Sequence, residues 1–174
     1  VGENIRFPLA EHGIRDRDEQ RRRCREELGL VGLEGLEDRY PEALSGGQRK
    51  RVALARAIVL GPEVVLYDEP TTGLDPVRSD LINELILRLH RSLGVTTIVV
   101  THDMASARKV GDRILMLHEG QFVADTSPEE LDEVESDVVS RFVRGQAEQE
   151  ELQRLRGGEL LRSGVDAPAG PGEH

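Results

Sequence analysis

Hydrophobic residues along this chain fall into short continuous runs and longer periodic ones, and the two kinds alternate through its middle. Val64-Val65-Leu66-Tyr67 is a continuous, largely β-branched run that stops abruptly at Asp68-Glu69-Pro70. It predicts a strand buried on both faces, as in a parallel sheet. Val95 to Thr101 is a second run of the same kind. Between them Asp75-Pro76 opens a periodic stretch through Leu93, with Leu81, Ile82, Leu85, Ile86 and Leu89 as its stripe and Gly94 as its stop. That predicts a helix with Asp at the cap and Pro at the first helical position. Strand, helix and strand in this order make a crossover unit, and its strands should run parallel.

The flanks extend this picture. Arg17 to Leu28 predicts a highly charged surface helix, and Gly29 to Gly35 a loop or junction. Arg39-Tyr40-Pro41 is a further break. Gln48 to Leu60 predicts an amphipathic helix that buries Val52, Leu54, Ala55, Ile58 and Val59 and ends at Gly61-Pro62. After a short helix beyond His102-Asp103, Arg113–His118 predicts a third strand, turned at Glu119-Gly120 into Gln121–Ala124 as a hairpin at the sheet margin. Thr126-Ser127-Pro128-Glu129-Glu130 reads as a capped helix start, and Ser136 to Arg144 as a short helix. Residues 146–174 become charged, then rich in Gly and Pro, and predict a loosely ordered tail. At the other end Ile5, Phe7 and Leu9 arrive at once, without an initiator Met, as though an element were already under way. The expectation is a piece whose beginning is missing.

Composition narrows the classes. With 174 residues the chain can bury one real core. Its net charge of −10 argues against nucleic acid or an acidic membrane surface as a partner. Cys24 is the single cysteine, so no internal disulfide forms and a reduced, cytoplasmic setting is expected. No apolar run is long enough to span a bilayer, so any membrane role must come through a partner.

Candidate chemistry gathers in three places. Leu44-Ser45-Gly46-Gly47-Gln48 sets a hydroxyl and two glycines at the start of a helix, where free N–H groups and the positive end of the dipole suit a phosphate, although a tight turn reads equally well. Asp68-Glu69 ends one strand and His102-Asp103 the other, at the sheet edge where open α/β folds bind ligands. One carboxylate suits hydrated Mg²⁺, and the next can orient or deprotonate a water. Taken singly, such residues are as often helix caps or structural hydrogen-bonders. Together they form a phosphate, metal and water kit.

Leu44–Gln48, Leu66-Tyr67-Asp68-Glu69-Pro70, Gly73-Leu74-Asp75-Pro76 and Thr101-His102-Asp103, in that order and spacing, resemble the ATP-binding subunits of ABC transporters from Val1 to about Gly145. In family terms these are the signature, the Walker B strand with its glutamate, the D-loop and the switch histidine. The resemblance implies a P-loop NTPase-type α/β fold, a parallel sheet with helices on both faces plus a helical subdomain (about 8–60). The catalytic sheet would cover about 61–125 and C-terminal helices 127–145. It implies ATP and Mg²⁺ as cofactors. Ser45, Gly46, Gly47 and Gln48 would meet the nucleotide, with Ser45 and Gly47 at the γ-phosphate. Asp68 would hold Mg²⁺ through water, Glu69 would polarise the attacking water, His102 would contact the γ-phosphate, and Asp75 would bridge a dimer.

One departure stands out. No G-x-x-x-x-G-K-[ST] occurs, and neither Lys50 nor Lys109 follows a glycine. The family's N-terminal strands and phosphate loop are therefore expected upstream of Val1, and the chain alone should not hydrolyse ATP. The implied partners are a second ATP-binding subunit, paired head to tail so that each signature serves the other's ATP, and transmembrane permeases. The implied location is the cytoplasmic face of an inner membrane. Tyr67–Pro76, Asn83-Glu84-Leu85-Ile86, Thr101-His102-Asp103-Met104 and the ending Ser136–Gly145 look like the Mla-type, MCE-associated lipid branch, which adds an MCE-domain protein as a partner. The alternative is an amino-acid or other polar-solute importer. A DNA-repair-type ATPase would need a coiled-coil insertion for which the spacing from Leu44 to His102 has no room. A non-catalytic module would fit only if no phosphate loop were encoded upstream.

Overall fold

The computed structural model describes residues 1–147, 152 and 153; the expected tail therefore lies almost wholly outside the described residues. The chain divides into two compact units, Val1–Asp112 and Arg113–His174.

The first unit opens with three helices packed on one another: α1 (Gly2–Glu11), α2 (Arg17–Leu30) and α3 (Gly46–Ile58). The opening element is thus a helix that the apolar pattern left undefined. Ile5 and Leu9, four residues apart, are wholly buried while Phe7 stays exposed, which is helical periodicity. Pro8 masks that signal, because a proline inside a helix removes a backbone donor. In α2 only Cys24 and Leu28 face inward, again a four-residue step, and Asp16 caps the first turn through the Asp18 and Glu19 amides. Most of the rest of α2 is the solvated, ion-paired surface that its charges predict, apart from Glu27, which is partly buried with one carboxylate oxygen left without a partner.

After a short 3₁₀ turn at Pro41–Ala43, α3 leads into strand β1 (Val64–Asp68), helix α4 (Pro76–Leu93), strand β2 (Thr96–Val100) and the short helix α5 (Met104–Val110). β1 and β2 pair in parallel, with Val65 opposite Thr97 and Tyr67 opposite Val99, as the crossover rule requires. Asp75 accepts the Arg78 amide at the N-terminus of α4, and Gly94 ends it with φ +64°, a conformation that glycine adopts without strain.

The strands differ from expectation in one respect. Val65 and Tyr67 are buried in a core with Leu54, Ala55, Ile58, Ile82, Leu85, Ile86 and Leu89. Leu66, Ile98 and Val100 point the other way and are exposed. Successive strand residues face opposite sides, and only one side of this two-stranded sheet joins that core. The continuous apolar run records a sheet built for cover on both faces, of which these residues supply one.

The second unit contains β3 (Ile114–His118), β4 (Gln121–Thr126) and helix α6 (Asp137–Val143). Glu119 and Gly120 both have positive φ, the requirement of a two-residue hairpin turn whose twist matches the strands. β3 and β4 pair with each other in a sheet of their own rather than at the margin of the parallel one. Ser127 accepts the Glu130 amide as expected of a cap, but only a 3₁₀ turn at Leu131–Glu133 follows. That acidic stretch buries Leu131 alone and has no stripe to sustain a helix. Ser136 does cap α6, whose Val139 is buried. Among the described residues no helix is long and apolar enough to cross a membrane.

Candidate functional site

β1 and β2 carry their polar residues to one edge because both strands run the same way. Beyond Asp68 the backbone continues the ladder by one bond, from the Glu69 amide to the Val100 carbonyl (2.9 Å). It then turns sharply, with Glu69 at φ +47°. A non-glycine residue in the left-handed region is strained by roughly 1–3 kcal/mol and persists only where its surroundings fix it.

Those surroundings are visible. The His102 backbone amide (3.0 Å) and ring Nδ1 (2.8 Å) both donate to Glu69 Oε1. The Thr72 hydroxyl donates to Oε2 (2.7 Å). Lys50, reaching across from α3, donates through Nζ to the Pro70 carbonyl (2.7 Å) and the Glu69 carbonyl (3.3 Å). His102, then Thr72, hold the Glu69 carboxyl below the ordinary range for glutamate. Partial burial pushes the Lys50 ammonium down, against the pull of Glu69. Because a carboxylate can only accept, Nδ1 carries the proton in this contact. An ionised carboxylate so held has its remaining lone pairs free to orient a water or take its proton.

The His102 loop is fixed from behind. The Asp103 amide donates to Thr101 Oγ1 (3.0 Å), and Asp103 Oδ1 accepts the Ala105 amide at the start of α5. Asp103 is also held below its ordinary range, first by the Ser106 hydroxyl (2.7 Å).

The glycine end of α3 is built differently. Ser45 is the N-cap: its hydroxyl accepts the Gln48 amide (3.3 Å), and the Gln48 side chain accepts the Ser45 amide (2.9 Å), a complete capping box. Gly46 and Gly47 are the first two helical residues, so their amides have no partner within the helix. Neither has positive φ, and a Cβ at either would meet nothing within 4 Å. Nothing in this chain's own packing requires glycine there, although each costs up to about 1 kcal/mol of helix stability relative to alanine.

The described fold resembles that of cbiO1 from Clostridium perfringens, part of the ABC transporter complex cbiONQ, with a TM-score of 0.68 and 32% identity over 90% of this chain and 59% of that one. Residues 1–72 match the family model described as ABC transporter. The chain has the fold of an ABC transporter ATP-binding subunit. It is 42% identical to the methionine import ATP-binding protein MetN 3 of Bacillus cereus over 146 residues, 83% of this chain and 42% of that protein. It is 41% identical to MetN 2 of Listeria monocytogenes over 162 residues, 89% of this chain and 46% of that protein. The chain thus spans less than half the length of these relatives.

Within this ABC ATPase fold, the structure brings together Glu69 and His102, with Asp68 directly before Glu69 at the end of β1. The Asp68 carboxylate is exposed and makes no hydrogen bond to another described residue, which leaves it open to a hydrated cation. Asp75 lies at the start of α4, where Oδ1 accepts the Arg78 amide and Oδ2 pairs with the Arg78 guanidinium (3.2 Å). Ser45, Gly46, Gly47 and Gln48 stand at the end of α3, joined to the Glu69 turn through Lys50 further along that helix. Sequence reasoning missed Thr72 and Lys50 as partners of the Glu69 turn. A hydroxyl three residues after the glutamate was the available signal for Thr72. Nothing local marks Lys50, whose contacts lie 19 and 20 residues away.

Proposed function

We propose that this chain supplies the signature, Walker B and switch elements of an ATP-hydrolysing subunit that powers an ABC importer of a polar, amino-acid-like solute. The Glu69–His102 contact at the carboxyl edge of the parallel strands carries the reading. Glu69 is kept ionised and aimed by His102 and Thr72, so it orients the water that attacks the γ-phosphate. Asp68 holds Mg²⁺ through water; the metal, when bound, neutralises charge on the phosphate oxygens. His102 faces the γ-phosphate from the same loop. Ser45 and the amides of Gly46 and Gly47 close on ATP held by a second, head-to-tail subunit, with Asp75 at that junction. Release after hydrolysis moves the attached permeases as a two-state switch at the cytoplasmic face of the membrane.

The cargo follows the relatives rather than the sequence patterns that favoured lipid. Both curated relatives are methionine importers by name, which supports the polar-solute alternative over the Mla-type branch. The MCE-domain partner falls with the lipid reading. Of the residues behind that branch assignment, Tyr67–Pro76 and Thr101–Met104 belong to motifs that a polar-solute importer ATPase shares, and Asn83–Ile86 and Ser136–Gly145 lie outside the hydrolytic motifs.

The test uses the longest natural polypeptide that contains this sequence. Glu69→Gln should lower ATP turnover at least about 100-fold while ATP-dependent dimers still form on a sizing column. An unchanged rate would remove Glu69 from its role. Uptake of radiolabelled methionine, set beside transfer of a labelled phospholipid, decides the cargo class.

A further inference from the structure

Asn83 and Ser106 are buried polar residues in an otherwise apolar setting, 5% and 1% exposed, and the hydrolytic reading gives them no task. Asn83 sits on α4 among the buried Ile82, Leu85 and Ile86, a position that a leucine would fill without polar cost. Its Nδ2 donates to Ser106 Oγ (2.8 Å), and Ser106 Oγ donates to Asp103 Oδ2 (2.7 Å). The direction is fixed by counting protons. A hydroxyl has one hydrogen, the carboxylate can only accept, and the amide nitrogen must therefore supply the other bond. Asn83 Oδ1 is left buried without a partner. Lys109 also links α5 to α4, through Asp80 and Glu84 on the exposed side.

We propose that Asn83 and Ser106 are positioning residues for His102. Their buried hydrogen bonds hold Asp103, and Asp103 fixes the loop that presents both the amide and the ring of His102 to Glu69. The relay runs from the helix that Asp75 caps to the histidine that Glu69 holds, so it ties the dimer-junction element to the hydrolytic one. Hydrogen bonds linked in series through a buried hydroxyl polarise and orient one another, so losing one member loosens the others. The proposal rests on the reading of Glu69 and His102 as hydrolytic residues, but its first test does not.

That test is hydrogen exchange on the longest natural polypeptide containing the chain, unsubstituted and with Ser106→Ala or Asn83→Leu. The His102 amide should exchange about tenfold faster in either variant, while the β2 amides of Ile98 and Val99 keep their rates. The double variant should be no worse than either single one, as expected for members of one relay. In turnover, each single variant should lower kcat about tenfold with KM for ATP unchanged, the cost of a loosened but present catalytic group. Ser106→Thr, which keeps the hydroxyl, should restore both readouts. An unprotected His102 amide in the unsubstituted protein overturns the proposal. So does unchanged His102 exchange in the variants, or an equal rise throughout α4 and β2. If the unsubstituted protein lacks ATP turnover, the hydrolytic reading fails while the exchange result still decides the relay.

Discussion

The two ends of the candidate site are finished to different degrees. At the β-strand edge the Glu69 turn and the His102 loop are cross-braced by the chain itself: Glu69 by His102 and Thr72, the Glu69–Pro70 carbonyls by Lys50, and the His102 loop through Asp103. At the α3 end the bracing stops at a local capping box, and two glycines face open space. The held residues have their geometry set by this chain alone, whereas the bare helix N-terminus, kept at a cost in helix stability, suits a phosphate. The contrast gives physical content to the idea that Ser45–Gly47 serve a nucleotide carried by another subunit.

The largest effect should come from filling that open space. Gly47→Ala adds a methyl that meets nothing here, so stability should stay level or rise by up to about 1 kcal/mol. ATP turnover of the assembled protein should nevertheless fall at least about 100-fold, because the proposed function brings the phosphate against the bare backbone. Denaturant melts and turnover measured on the same preparation check this. A variant that keeps full turnover would make the glycines ornamental and end the contrast.

A smaller effect separates the capping box from the phosphate contact. Gln48→Ala removes the side chain that accepts the Ser45 amide. Stability should drop by about 1 kcal/mol, with turnover changed less than by Gly47→Ala. Equal losses of turnover in the two variants would mean that the glycine pair acts only through helix geometry.

Much of this arrangement was legible in the sequence, for identifiable reasons. Parallel β1 and β2, capped α4 and the Gly94 stop follow from local rules whose residues sit next to each other. The juxtaposition of Glu69 with His102 followed from topology, because parallel strands deliver their ends to one edge. The helix at Gly2–Glu11 was hidden by Pro8, and the exposed face of β1 by a run that encodes more cover than these residues provide. Lys50, Asn83 and Ser106 were invisible because each acts through a partner about twenty residues away. The lipid reading of the cargo found no support among the relatives, which favour the polar-solute alternative, for a different reason. The patterns used for it are either motifs that any importer ATPase of the family shares or stretches of α4 and α6 that pack within this chain, so nothing physical ties them to a solute.

The smallest effect concerns protonation of the braced end. Glu69 has a folded-state pKa below its ordinary value, mainly because His102 and then Thr72 hydrogen-bond its charged form. A carboxyl depressed in this way stabilises the fold above the unfolded value, near 4.3, and that contribution disappears as pH falls through the lower folded value. His102→Ala should return the Glu69 carboxyl toward its ordinary range, as read by carbon NMR of a chain labelled at its glutamates. The part of the acid-limb stability difference between the two proteins that belongs to Glu69 should shrink below pH 4. At the open end Ser45→Ala removes no titrating group, so it should leave the acid limb parallel to that of the unsubstituted protein and shift it only by the lost cap. A Glu69 resonance that titrates identically with and without His102 would show that the contact does not brace the carboxylate, and the asymmetry between the two ends would lose its electrostatic half.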